Sequence, residues 1–138
     1  MKLSEEKSKL MVINFTKNYQ FSTRVLLNNT LMDVVDKTVL LGTVVSSDMT
    51  WHKNTQYLVQ RGYQRMTILR RLYEFNIPRE DLVQIYTMYI RSVLEYNSNV
   101  WFSAITNEER ENLERVQKVA CRIILKSDYT NYTDHCKL

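Results

Sequence analysis

Two glycines and a single proline stand among the 138 residues of this chain, and that scarcity restricts its fold more than any motif does. Short strands joined by tight turns draw on residues that adopt positive φ or a preset turn geometry. With Gly42, Gly62 and Pro78 as the whole supply, long uninterrupted helices are the simplest use of most of the chain. An apolar content of 44% with 11% aromatics suffices to bury a core in one domain of this length.

Read from the start, the first third is β-rich. The runs Leu10 to Phe15, Thr23 to Leu27, Val34 to Leu41 and Thr43 to Val45 are separated by polar residues. Asn28-Asn29 suits a tight turn between two short strands. Leu40 to Val45 is apolar but for Gly42 and Thr43, and is either buried or a contact surface. From Asp48, taken as a helix cap, the period changes: Thr55, Leu58, Val59, Gly62, Met66, Leu69 and Tyr73 share one helical face. Asn76-Ile77-Pro78 stops that helix, and Pro78 suits the first turn of the next, with Glu80 and Asp81 near its positive end. A broad stripe from Leu82 to Trp101 marks this second helix as the central one. Thr106 to Glu109 has capping-box spacing, and Leu113, Val116, Ala120, Ile123 and Ile124 form the inner face of a third helix.

The expected fold class is therefore α+β and mostly helical, with short antiparallel strands in the N-terminal third followed by three long helices forming a bundle. The boundaries fall at 1–47 for the hairpin region, 48–127 for the three-helix bundle and 128–138 for a polar tail that reads as cut off, the whole forming one unit. A start charged from Lys2 onward and the lack of any membrane-length apolar stretch suggest an intracellular chain. On that basis Cys121 and Cys136 read as free thiols, and the sequons at Asn14, Asn28 and Asn131 as chance.

Chemistry-bearing patterns are sparse. Gly42 and Gly62 cannot make a phosphate-binding glycine loop. His52 and His135 lie outside any metal-ligand spacing, and the adjacent His135-Cys136 is better read as polar tail. Cys121 sits in a helical pattern without an oriented base. Asp33 and Asp36, three apart in a strand-like run, point to opposite faces and cannot share a metal. Trp51 and Trp101 could stack on bases, but each begins or ends an apolar stripe, where core anchoring is the commoner use. Gly62 on an inner helix face indicates close helix packing. No cofactor and no small-molecule substrate is expected.

Cations give the functional hint, within a net charge of +4. Arg115, Lys118, Arg122 and Lys126 recur at helical spacing opposite the apolar face of the third helix and could track phosphates, with Arg61 and Arg65 as a shorter stripe. The plainer reading is a solvated face, because Glu108 and Glu111 begin the same stripe and the helix dipole alone favours acid first and base last.

In order, EKSKLMVINF, LLNNTLMDVVDKTVLLGTVVSSDMTW, LVQIYTMYIRSVLEYNSNVWFSAIT and NLERVQKVACRIIL resemble the carboxy-terminal part of non-LTR retrotransposon reverse transcriptases. The markers are the Leu41-Gly42 step, Asp48 followed by Trp51, the Tyr86 to Trp101 segment with Arg91, Leu94, Glu95 and Tyr96, and the run Leu113 to Lys118. The resemblance implies the end of a palm, a primer-grip hairpin at Leu40, Leu41 and Gly42, and a helical thumb along template and primer. Thumb contacts would then be sought among Arg61, Arg65, Arg115, Lys118, Arg122 and Lys126, chosen by charge. The family's Tyr/Phe-Ala-Asp-Asp metal motif does not occur in this chain, so the resemblance implies a non-catalytic fragment. Its partner would be an RNA–DNA hybrid or other nucleic acid, bound weakly and without sequence preference. The alternatives are a protein-interaction module working through an exposed strand edge, or no selected function.

Overall fold

The structure, a computed structural model, describes residues 8–15 and 24–125. It is α+β and mostly helical, with short strands first and three helical stretches after them. Contacts group the chain into two compact units, Met1–Lys53 and Asn54–Leu138, where the sequence pattern suggests a division after residue 47 within one unit.

The first unit contains three two-stranded pairs: β1 (Lys9–Leu10) with β4 (Asp33–Val34), β2 (Leu26–Leu27) with β3 (Thr30–Leu31), and β5 (Lys37–Leu40) with β6 (Thr43–Ser46). Asn28 and Asn29 close the β2–β3 hairpin at φ of 49° and 66°, a conformation their short polar side chains tolerate. The β5–β6 hairpin turns on Leu41 and Gly42, at φ of 48° and 83°, with Leu40 opposite Thr43. Two expectations change here. β1 and β4 pair in parallel, not antiparallel, with Lys9 opposite Asp33. The run from Val34 to Leu41 is not one strand, because a bend at Asp36 separates β4 from β5.

α1 (His52–Glu74) starts four residues after Asp48, which therefore does not cap it. Asp48 instead organises the preceding turn: its Oδ1 lies 2.6 Å from the Ser46 hydroxyl and 3.0 Å from both the backbone nitrogen and the hydroxyl of Thr50, which donate to it. At its far end α1 closes with Asn76 at φ 55°. The Ile77 amide donates to the Leu72 carbonyl and the Asn76 amide to that of Tyr73, a Schellman arrangement. Pro78 is the N-cap of α2 (Arg79–Ile85), one position earlier than the spacing suggests, with Glu80 and Asp81 in the first turn as expected.

The second helix is not continuous. After α2 the chain widens into a π segment, Tyr86–Arg91, then narrows to α3 (Ser92–Leu94). Asn97, at φ 52°, redirects it into α4 (Ser98–Trp101) and a short 3₁₀ turn, Phe102–Ala104. The buried side chains here, Leu82, Tyr86, Ile90, Leu94 and Trp101, form a narrower row than the broad stripe foreseen. The first four recur every four residues. In an α-helix of about 3.6 residues per turn that spacing would drift by roughly 40° per step. The wider i→i+5 turn of the π segment takes up the drift and keeps the row on one face.

α5 (Asn107–Leu125) opens with the anticipated box: Glu109 Oε2 accepts from the Thr106 amide at 2.8 Å, and the Glu109 amide donates back to Thr106 Oγ1 at 3.3 Å. The helical core is built on Met66, Leu69, Ile90, Val116 and Ala120, all fully buried. Gly62 packs as expected, since a β-carbon there would lie 2.8 Å from Val116 Cγ1 and 3.1 Å from Leu94 Cδ2. Trp101, 1% exposed, is a core residue whose Nε1 donates to the Tyr96 carbonyl at 2.9 Å. Cys121 is buried and disulfide-bonded, which corrects its reading as a free thiol. Bonding depends on how near the fold brings two sulfurs, and residue spacing along the chain does not reveal it. Cys136 lies outside the described residues. Among the described residues no helix is long and apolar enough to cross a membrane.

Candidate nucleic-acid interface

The sequence alternates cation and acid along α5, and the folded helix pairs them. Arg115 lies 4.0 Å from Glu111 and also donates to Asn112 Oδ1, while Lys118 lies 3.5 Å from Glu114. Both are i,i+4 pairs in the order acid then base, the favourable sense on a helix. Counted over its whole length, α5 has four cations (Arg110, Arg115, Lys118, Arg122) and four acids (Glu108, Glu109, Glu111, Glu114), so its net charge is zero. Arg122 is exposed, and Lys126 lies outside the described residues.

α1 differs sharply. Lys53, Arg61, Arg65, Arg70 and Arg71 face one acid, Glu74, giving this helix +4 with His52 neutral. Two of its arginines, Arg61 and Arg65, are positioned by rings instead of carboxylates. Arg61 Nε donates to the Tyr57 hydroxyl at 3.1 Å and its guanidinium carbon lies 5.2 Å from the centre of that ring. Arg65 sits 4.3 Å from the centre of the Tyr89 ring and donates through Nη1 to the Tyr89 carbonyl. A ring contact steadies a guanidinium without cancelling its charge, whereas a carboxylate does cancel it. By helical geometry Arg61, Arg65 and Arg71 fall within an arc of about 120°, with Arg70 pointing elsewhere. Arg61 and Arg71 are exposed and Arg65 is half-buried.

The six cations chosen from the sequence thus do not form one surface of one kind. Arg61 and Arg65 share a positive helix, while Arg115 and Lys118 belong to a neutral one. Tyr57, Tyr89 and Arg71 complete the α1 surface and were not singled out by spacing. The readable signal for Tyr57 and Arg71 was the absence of any acid from His52 to Leu72; Tyr89, distant in sequence, had none. Leu40, Leu41 and Gly42 do form a hairpin tip, with both leucines largely exposed.

Beside α5 lies a cleft of about 300 Å³, with Leu94, Trp101 and Leu113 beneath and Glu95, Arg110 and Glu114 at its rim. Its rim is already engaged: Glu95 accepts from Arg91 at 2.7 Å, Glu114 pairs with Lys118, and Arg110 lies over Phe102. That leaves little convergent polarity for a small ligand. Among the described residues no group of three or more His, Cys, Asp or Glu is placed to hold a metal ion.

Compared with family models, with curated proteins and with solved structures, the chain matches none.

Proposed function

We propose that the chain is a non-catalytic segment of retrotransposon reverse-transcriptase descent whose working capacity is sequence-independent contact with the backbone of a template–primer nucleic acid, with α1 as the contact surface. The observation that carries the reading is the concentration of charge on one helix. α1 holds +4 with a single acid, and two of its guanidiniums are held by tyrosines. An array of cations that is fixed in place but not neutralised is what releases counterions from a phosphate backbone. The residues resembling a thumb and primer-grip hairpin, with no Tyr/Phe-Ala-Asp-Asp motif in the chain, point to binding without polymerisation.

Fluorescence anisotropy with a labelled RNA–DNA hybrid over a salt series tests it. Weak binding that falls steadily as salt rises is expected; no binding at low salt defeats the proposal. A primer-extension assay with Mg²⁺ is expected to give no product.

A protein-interaction reading is favoured by one separate feature, the strand β5, which among the described residues has a strand partner on one edge only.

A further inference from the structure

Tyr57, Arg61 and Arg65 stand four residues apart on successive turns of α1, so they form a row about 12 Å long within an arc of about 80°. The row ends against Tyr89, which the π segment supplies from the next helix. The order along this surface is therefore ring, cation, cation, ring. Tyr89 directly precedes the fully buried Ile90, yet 40% of it is exposed, and Tyr57 is half-buried.

Each guanidinium lies over one face of its ring, 5.2 Å from the centre for Arg61 on Tyr57 and 4.3 Å for Arg65 on Tyr89. A ring has two faces, and Tyr89 keeps its solvent-exposed portion with one face so occupied. Phosphates alone call for cations and not for rings. A strand within a duplex turns phosphates and sugars outward and keeps its bases stacked and paired inside, so a tyrosine on a helix surface has nothing flat to meet. An unpaired strand exposes base faces beside its phosphates, and aromatic rings interleaved with cations are suited to grip it. At about 3.4 Å per stacked nucleotide, a row of about 12 Å matches a few nucleotides.

Resting on the reading of α1 as a nucleic-acid surface, we infer that Tyr57 and Tyr89 stack on bases of an unpaired strand whose phosphates Arg61 and Arg65 meet. The ligand class is single-stranded nucleic acid, taken without sequence preference because every base offers a face. A fully paired duplex still meets the cations but gains nothing from the rings. Arg65 also donates to the backbone carbonyl of Tyr89, a group that every residue at that position retains. Removing the Tyr89 ring therefore separates stacking from the placing of the cation.

The test measures anisotropy of the full chain with three labelled ligands at one low salt concentration: a short RNA strand, an abasic strand of equal length, and the RNA annealed to complementary DNA. The abasic strand has the same phosphates and no bases, so the base-bearing strand is expected to bind about fivefold tighter or more. Tyr89→Leu should remove most of that advantage while leaving the abasic strand and the hybrid nearly unchanged, and Tyr89→Phe, which keeps the ring, should behave as the parent. Tyr57→Leu is expected to act in the same direction. Circular dichroism checks that the variants are folded. Should Tyr89→Leu fail that check, the base-bearing and abasic strands compared on the unaltered chain decide alone. Equal affinity for those two strands would overturn the inference. So would a folded Tyr89→Leu that weakens all three ligands alike, because the ring would then serve only to hold Arg65. In either case binding of the hybrid leaves the backbone-contact reading of α1 standing, whereas no binding of any ligand defeats both.

Discussion

Asp48 shows how far a single side chain can be displaced from its expected role and still matter. Hydrogen bonds from the Ser46 hydroxyl, then from the Thr50 amide and hydroxyl, hold its carboxyl down to about 2 from an ordinary 3.8. Because the folded value is the lower one, the contribution of Asp48 to stability is fully present above about 3.8 and disappears as pH falls through about 2. Asp48→Asn should therefore be less stable than the parent at neutral pH, and the gap should close as the pH of urea melts is lowered toward 2. A gap that stays constant with pH would contradict the turn geometry. At Gly62 two effects oppose each other. Alanine favours the helix by roughly 1 kcal/mol over glycine, but the new methyl meets Val116 at 2.8 Å, and overpacking of a stiff β-branched neighbour costs about 1–3 kcal/mol. The steric clash is expected to win, so Gly62→Ala should destabilise the helical unit by about 1 kcal/mol in chemical denaturation. A stabilised variant would mean that α1 packs less closely than described.

At the scale of elements, the features legible in the sequence were those written in local chemistry. The Asn28-Asn29 turn, the stop at Asn76 and the Thr106–Glu109 box each depend on two to four adjacent residues, and each stands where those residues put it. The π segment was also recorded, though less plainly. A strict four-residue repeat from Leu82 to Leu94 does not fit an α-helix, and grouping those residues into a broad stripe hid the mismatch. The π segment contains in effect one extra residue, and Met88 within it is 67% exposed. Deleting Met88 should return this stretch to α-helical spacing, keeping Leu82, Tyr86, Ile90 and Leu94 in phase, with helical content and melting temperature little changed. Deleting Gln64 from α1 instead throws Met66 and Leu69 out of phase and should unfold the helical unit. Thermal melts followed by circular dichroism compare the two; equal damage from both deletions would refute the phase argument.

For the whole molecule, what could not be read was whatever depends on elements distant in sequence. The parallel β1–β4 pairing, the bonded state of Cys121 and the Arg65–Tyr89 contact arise from tertiary geometry, which no local pattern encodes. The candidate interface was half legible for the same reason. Scanning for spaced cations finds Arg115 and Lys118 as readily as Arg61, whereas their different surroundings emerge when each helix is taken with its acids. The net charge of the chain, +4, equals that of α1 alone. The central claim is that this helix, and not α5, meets the nucleic acid. It is tested most directly by measuring RNA–DNA hybrid affinity against salt for Arg61→Gln/Arg71→Gln on α1 beside Arg115→Gln/Lys118→Gln on α5. The account predicts that the α1 pair weakens binding and lowers the salt slope by about one for each phosphate that is no longer neutralised, while the α5 pair leaves both nearly unchanged. Equal or greater weakening by the α5 pair would contradict it.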